Sequence, residues 1–252
     1  MRLVVLPRPL VRRHDLALPS LVVVWVAVVL GLDTGASLVQ QRLLGVGTWL
    51  LLLAVLRAED RATRVQVAVV VVYATVVEHV FAGWLEVYVY RLDGVPWFVP
   101  PGHGLVYLAA LCIGRSAWAH RHARWLVGGT LLVGGAWALW GLTLAPRPDV
   151  LGAFWFCCLL AFTRYGRSPL LYAGAFLVVS YLELVGTSLG SWAWAPHDTL
   201  LGVVSIGNPP SGIAGGYAWF DAAALWVAPK VLRRLRPAPA PAPAPAPARL
   251  ER

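Results

Sequence analysis

Charged residues are scarce in this chain. Asp, Glu, Lys and Arg together make up only 13% of its 252 residues, whereas a soluble domain contains about a quarter. Hydrophobic residues account for 59%. Because so few polar side chains are available to cover a water-exposed surface, the composition excludes an ordinary soluble domain. It predicts an all-α, polytopic integral membrane protein.

Cysteine patterns and metal-binding patterns are also lacking. The three cysteines, Cys112, Cys157 and Cys158, all lie in apolar runs and form neither a disulfide framework nor a metal-ligand spacing. Paired histidines at helical spacing, phosphate loops and dinucleotide fingerprints are absent as well. We therefore expect no cofactor and no metal. The weaker alternative is a metal site made of four side chains: Glu78, His79, Glu86 and His103.

The basic residues predict a membrane topology. The net charge of +9 does not indicate a nucleic-acid partner, because the charges sit in short clusters between apolar runs. With eight spans and both termini cytoplasmic, 18 of the 21 Lys and Arg residues fall on the inside. The first span could alternatively be a signal peptide. The predicted spans are residues 17–32, 43–56, 65–90, 97–114, 125–144, 150–162, 170–190 and 212–232.

This topology predicts three regions. Residues 1–16 form a basic cytoplasmic arm, residues 17–232 form one transmembrane domain, and residues 233–252 form a cytoplasmic tail rich in Pro and Ala. Repeated Pro-Ala pairs favour an extended spacer without a core of its own. The expected location is the cell membrane, with the bilayer as the main partner.

One stretch of the chain occurs twice in diverged form. In the first copy Glu78 is followed by YVY and a double proline, and in the second Glu183 is followed by WAW and a double proline. Chance similarity in a chain rich in Trp and Gly is the alternative to a true repeat. Four spans per copy predict parallel repeats, residues 17–114 and 125–232, related by an axis along the membrane normal. Glu78 and Glu183 would then face each other.

Ionisable side chains inside apolar runs are the strongest functional signal. Each costs about 2.5 to 3.5 kcal/mol to insert at membrane depth. A chain that carries this cost pairs the groups, uses them to line a wet cavity, or uses them in chemistry. The predicted catalytic residues are Glu183, Glu78, His79 and Asp221. The predicted substrate-binding residues are Glu86, Tyr88, Tyr90, His103, Tyr107, Thr187, Trp192, Trp194, Asn208 and Tyr217.

These residues allow both a structural and a chemical interpretation. Buried carboxyl groups could simply join helices through hydrogen bonds of modest strength. A carboxyl group in an apolar setting also tends to keep its proton, which makes it a usable general acid. The aromatic residues suit the membrane interface, and their ring faces could equally stabilise a carbocation.

The second copy resembles the membrane-bound carotenoid hydratase family. Members of that family carry a glutamate on a helix, a Thr-Gly turn, alternating aromatic residues, a Leu-Gly pair and a Gly-Pro turn. This chain departs from the pattern in having Ser-Leu between the Thr and the Gly, and Trp in place of Tyr. The matching residues are Glu183, Gly186, Thr187, Gly190, Trp192, Trp194, Leu201, Gly202 and Trp219. The resemblance implies addition of water across a double bond of a polyene or isoprenoid chain.

Two classes of function follow from these patterns. The first is a membrane enzyme in which Glu183, with Glu78 as its partner, acts as an acid on an isoprenoid or polyene-type lipid. The second is a proton-coupled small-molecule transporter, or a lipid-binding protein, that uses the same carboxyl groups at a site near the middle of the membrane. A lateral opening lined by apolar residues favours the enzyme, and a continuous polar path favours the transporter.

Overall fold

The computed structural model describes residues 14–92 and 94–235. Residues 1–13 of the predicted arm and residues 236–252 of the predicted tail lie outside this part. The described chain is mostly helical. Its helices are α1 (His14–Asp33), α2 (Leu38–Leu56), α3 (Arg61–Glu78), α4 (Val99–Arg115), α5 (Ala117–Arg121), α6 (Ala123–Thr143), α7 (Val150–Tyr165), α8 (Pro169–Ser188) and α9 (Ile213–Arg234).

Four helical stretches in the described ranges are long and apolar enough to cross a membrane. They are Leu38–Leu56, Arg61–Trp84, Ala123–Thr143 and Pro169–Ser188. Two further apolar helices, Ala17–Asp33 and Val150–Tyr165, are shorter. Helices therefore occur at all eight predicted places, while the eight-span topology itself stays a prediction. Helix α1 begins at His14, so it includes the last residues assigned to the basic arm.

The third predicted span, residues 65–90, is not one helix. Helix α3 ends at Glu78, a π-helical segment follows at His79–Trp84, and strand β1 (Tyr88–Tyr90) comes next. Strand β1 pairs with β2 (Trp192–Trp194), so the prediction of a purely α-helical fold omitted a small sheet. The physical reason is that an aromatic residue, an aliphatic residue and a second aromatic residue alternate in both segments, which fits the two-residue period of a strand.

Four helices, α3, α4, α8 and α9, form a closed ring. Helix α4 packs against both α3 and α8, and α9 packs against the same two helices. Helices α1 and α2 lie outside α4, and α6 and α7 lie against α8 and each other. Glycine allows α4 and α8 to approach closely: a Cβ added to Gly174 on α8 would stand 2.7 Å from the Ala110 carbonyl oxygen on α4. Small residues at such contacts are typical of helices packed in membranes.

Two aspartates cap the first turns of helices α3 and α7. Asp60 caps α3 by accepting a hydrogen bond from the Thr63 amide at 2.8 Å. Asp149 caps α7 through the Gly152 amide at 2.9 Å. The same carboxylate accepts from the amides of Gly207 at 2.8 Å and Ser211 at 2.6 Å. Asp149 thereby fastens the chain between β2 and α9 to the start of α7.

Candidate functional site

A cavity of about 310 Å³ lies where α3 and α8 end and α4 and α9 begin. Its wall is almost entirely apolar and aromatic. Glu78 and Glu183 both line it, and they are only 5% and 4% exposed. A concave apolar pocket with a few convergent polar groups is the usual form of a small-molecule site.

The two-stranded sheet covers one side of this cavity. The strands are antiparallel, and Val89 pairs with Ala193 at their centre. Because side chains alternate along a strand, these two residues are exposed on the outer face. The four aromatic side chains of the strands line the cavity: Tyr88, Tyr90, Trp192 and Trp194.

Glu78 is held by the aromatic residues of the strand that follows it in sequence. Its Oε2 accepts hydrogen bonds from the hydroxyls of Tyr88 at 2.8 Å and Tyr90 at 2.7 Å. Its Oε1 lies 3.3 Å from Nε2 of His103. This contact lacks hydrogen-bonding geometry, so Nε2 has no hydrogen-bond partner among the described residues. Glu78 therefore has one satisfied oxygen and one oxygen directed at an imidazole.

Glu183 is held in the same manner by different side chains. Its Oε2 accepts from Nε1 of Trp192 at 3.0 Å and from Nε1 of Trp194 at 3.1 Å. The two halves touch across the sheet: the rings of Tyr88 and Trp194 are 4.6 Å apart between centroids. Each glutamate thus binds the two ring donors of the strand that follows it in sequence.

Helix α9 adds further aromatic surface. The ring of Tyr217 stacks on His103 with centroids 5.2 Å apart and an interplanar angle of 9°. Phe220 meets His103 edge-on at 5.5 Å. The imidazole is therefore fixed by rings on one helix and by the carboxylate at the end of another.

Arginine side chains fasten the strands from outside the cavity. Arg147 donates to the Trp194 carbonyl at 2.8 Å and also to the Ala195 carbonyl. Partial burial lowers the pKa of the Arg147 guanidinium, and the nearby charge of Asp149 opposes that shift. Arg91, directly after β1, donates to the Ala36 carbonyl at 2.8 Å. Arg91 thus ties the end of β1 to the connection between α1 and α2, and Arg147 holds the end of β2.

Eight of the predicted site residues come together at the cavity. All of them line its wall, and they come from α3, β1, α4, α8, β2 and α9. They are Glu78, Tyr88, Tyr90, His103, Glu183, Trp192, Trp194 and Tyr217.

Two predicted residues lie outside the cavity. His79 is exposed, and its Nδ1 is 2.8 Å from the Thr75 carbonyl oxygen. Glu86 is exposed and has a φ of 49°, in the left-handed region that is uncommon for residues other than glycine. The regular helix of the third predicted span ends at Glu78, so it does not carry these two side chains into the cavity.

Four other predicted residues lie near the site but not in the cavity wall. The Tyr107 hydroxyl donates to Gln66 Oε1 at 3.1 Å, and the Thr187 hydroxyl donates to the Glu183 carbonyl at 2.7 Å. Asn208 accepts from the Trp194 amide at 3.0 Å through its side-chain oxygen, so it positions β2. Asp221 is buried on α9, and its Oδ2 has no hydrogen-bond partner within the described part of the chain.

Several apolar wall residues were not predicted from the sequence. Single aromatic residues within apolar runs carry no pattern that separates a cavity wall from a lipid-facing surface. Among them are Trp25, Tyr73, Phe81, Trp155 and Phe220.

The site thus belongs to a helical chain with apolar, membrane-length segments and a carboxyl-bearing aromatic cavity. No group of three or more His, Cys, Asp or Glu side chains in the described ranges is arranged to hold a metal ion. No family model, no curated protein and no solved structure matches this chain.

Proposed function

We propose that this protein is a multi-pass cell-membrane enzyme, with both termini cytoplasmic, that acts on an isoprenoid or polyene-type lipid. The reaction is acid-assisted addition of water, or rearrangement, at a carbon–carbon double bond. The observation that carries the proposal is a pair of buried carboxyl groups, Glu78 and Glu183, in the wall of an otherwise apolar and aromatic cavity.

The cavity wall supports a hydrocarbon substrate. Aliphatic and aromatic side chains from α1, α3, α4, α7 and α9 surround the polar groups. An isoprenoid chain would replace water there without leaving polar groups of its own unsatisfied. The resemblance of the second copy to carotenoid hydratases supports the same substrate class.

The proposed step balances with water as the only co-reactant. A carboxyl group transfers its proton to one alkene carbon, so that a C–H bond forms, the π bond breaks and the neighbouring carbon becomes a cation. Water then forms a C–O bond to that cation, and its extra proton returns to the carboxylate. In a rearrangement, a neighbouring C–H bond loses the proton instead. The ring faces of the strand residues would stabilise the positive charge meanwhile.

A lipid analysis tests this function. Extracts of a host that makes linear isoprenoids are compared by mass spectrometry with and without the protein. We expect a product heavier by one water, or an isomer, only with the protein. Glu183→Gln keeps the size of the side chain but removes the carboxyl group from the cavity wall, so conversion should fall strongly while expression and thermal stability remain.

A matched control is Glu86→Gln, the same chemical change at an exposed residue outside the cavity. Conversion should continue in this variant. If Glu183→Gln unfolds, the structural interpretation of the carboxyl groups gains support. If the extract with the wild-type protein matches the extract without it, or if folded Glu183→Gln converts as much lipid as the wild-type protein, the enzyme proposal fails.

Proton-coupled transport is the second candidate, and Asp221 is the observation that favours it. This buried carboxyl group lies one helical turn after Tyr217 on α9. Tyr217 lines the cavity, whereas Asp221 lies outside its wall. Ionisable groups placed in series inside a helical bundle are typical of proton pathways. Asp221→Asn would then abolish proton-coupled uptake into vesicles, whereas an enzyme would still convert lipid.

A further inference from the structure

His103 has a defined tautomer in this structure. Its Nδ1 lies 3.0 Å from the carbonyl oxygen of Val99, one turn earlier on α4. A carbonyl oxygen can only accept a hydrogen bond, so Nδ1 must carry a proton. A neutral His103 therefore presents a bare acceptor at Nε2.

That acceptor nitrogen faces a carboxyl oxygen. Nε2 lies 3.3 Å from Oε1 of Glu78, and both side chains are buried. The contact lacks hydrogen-bonding geometry in this structure, and catalytic hydrogen bonds are often long or poorly aligned before a substrate binds. Two bare acceptors would repel each other and leave both atoms unsatisfied in a low-dielectric site. A proton between them removes that cost.

The other oxygen of Glu78 is not available for this proton. Oε2 already accepts from the hydroxyls of Tyr88 and Tyr90. Oε1 is therefore the oxygen that can carry or receive a proton. The group that faces Oε1 is the imidazole of His103. An imidazole can bind and release a proton near neutral pH.

Glu183 lacks such a neighbour among the hydrogen bonds of the described residues. Its Oε2 accepts from two indole N–H groups. An indole nitrogen donates but does not accept, so it cannot take a proton from a carboxyl group and return it. The surroundings of Glu183 suit a fixed acceptor that faces positive charge.

We propose that Glu78 and His103 form a proton-carrying pair, with one proton held between Oε1 of Glu78 and Nε2 of His103. This pair, and not Glu183, exchanges a proton with the molecule in the cavity. The transfer to an alkene rests on the proposed function, whereas the shared proton does not. In the hydration step the pair gives its proton to carbon and recovers one from the added water. Glu183 stabilises the cation in between.

Other titratable groups face the pair from each packed element. Tyr73 lines the cavity from α3, Tyr88 and Tyr90 from β1, Glu183 from α8 and Tyr217 from α9. Among the described residues of this wall, Glu183 is the carboxyl group besides Glu78 whose charge can influence the proton between Glu78 and His103.

Spectroscopy on the purified full-length protein tests the shared proton without any lipid substrate. The chain has six histidines, so ¹⁵N-histidine resonances are assigned by their loss in single variants. We expect the wild-type protein to show, between about pH 5 and about pH 8, one of two signatures. These are a protonated Nε2 at His103, or the infrared C=O band of a protonated carboxyl group.

Variants decide which residues produce the signature. Glu78→Gln and His103→Asn should each remove it, and using both guards against a folding defect in either one. Glu183→Gln and His79→Asn should retain it, because the described hydrogen bonds of these two side chains go to residues other than Glu78 and His103. The proposal is overturned if the wild-type protein lacks both signatures, if Glu78→Gln keeps the one observed, or if Glu183→Gln abolishes it.

Lipid conversion separates this proposal from the proposed function. Loss of a general acid lowers rates by roughly 10² to 10⁴-fold, which we expect for Glu78→Gln and His103→Asn. Glu183→Gln should also lower the rate, but with the wild-type shape of the rate-versus-pH profile. If conversion occurs and His103→Asn keeps the wild-type profile, the pair is not the acid. If the spectroscopic signature is present but no conversion occurs, the pair stands and the enzyme proposal fails.

Discussion

The half of the cavity around Glu78 and the half around Glu183 use one arrangement with different side chains. In each half, a glutamate near the end of a helix accepts two hydrogen bonds from alternate residues of the strand that follows. The donors are hydroxyls in the first half and indole N–H groups in the second. A hydroxyl both donates and accepts, whereas an indole only donates. The same geometry can therefore hold a proton-exchanging carboxyl group in one half and a fixed acceptor in the other.

Ring size differs between the halves, and the helices differ to match. Three residues after each glutamate, the chain has Phe81 in the first half and Gly186 in the second. A Cβ added at Gly186 would collide with the six-membered ring of Trp192. The missing side chain thus makes room for the larger indole, whereas Phe81 lies in the π-helical segment and lines the cavity.

The connections after the two strands also differ. Residues 91–98 link β1 to α4 directly, whereas residues 195–212 form a longer connection between β2 and α9. Asp198 organises the longer one by accepting from the backbone amides of Leu201, Gly202, Val203 and Val204. The second half therefore has the longer connection, and a carboxylate within that connection binds four of its backbone amides.

A finding that the two halves have opposite orientations in the membrane would change this comparison the most. The two glutamates are equivalent only if both halves enter the membrane from the same side. Reporter fusions should place residues 57–64, 115–124, 164–169 and 233 onward in the cytoplasm, and residues 191–210 outside. A cytoplasmic signal from residues 191–210 would contradict both the eight-span topology and the parallel repeat.

Gly186→Ala should have the largest effect among single substitutions. The added methyl group overlaps the Trp192 indole, and overpacking of this kind costs about 1 to 3 kcal/mol. Thermal unfolding should shift to lower temperature. Gly83→Ala, in the first half, has nothing within 4 Å of the added Cβ and should leave the transition in place. Equal effects of the two variants would show that the indole is not packed on the helix as described.

Removing the ring donors compares the two halves directly. Tyr88→Phe combined with Tyr90→Phe removes both hydrogen bonds to Glu78, and Trp192→Phe combined with Trp194→Phe removes both to Glu183. A hydrogen bond to a charged group contributes about 1.5 to 3 kcal/mol, and a neutral one about 0.5 to 1.5 kcal/mol.

We expect the tryptophan pair to cost more free energy of unfolding than the tyrosine pair, because indole donors hold a fixed acceptor. Chemical denaturation in detergent measures both, and each single variant serves as its control. A larger loss for the tyrosine pair would reverse the assignment of roles to the two glutamates.

Asp198→Asn should have the smallest effect, confined to acid pH and to the long connection. Hydrogen bonds from backbone amides lower the pKa of Asp198 below its ordinary value of 3.8. A lowered folded-state pKa adds stability that is complete above the ordinary value and is lost as pH falls through the lowered one. The protection factors of the Leu201 to Val204 amides, which compare the measured exchange rate with the intrinsic rate at each pH, should therefore fall on acidification in the wild-type protein. The asparagine variant should lack this pH dependence.

Much of the site was predictable because ionisable residues are conspicuous in apolar segments. Glu78, Glu183 and His103 stand out there by their cost alone, and all three line the cavity. His79 was predicted with them but is exposed. Adjacent residues on a helix point about 100° apart, so a one-residue difference decides between cavity and exterior. Composition carries no information about that rotation.

The sequence by itself determined a mostly helical chain with membrane-length apolar segments, and it placed two glutamates ahead of two aromatic pairs. Local composition and spacing are enough for this, because each depends only on neighbouring residues. Only the tertiary structure decided that the aromatic pairs form a two-stranded sheet, and that Nε2 of His103 faces Oε1 of Glu78. These contacts join residues far apart in the chain, and they depend on how α3, α4, α8 and α9 close into a ring.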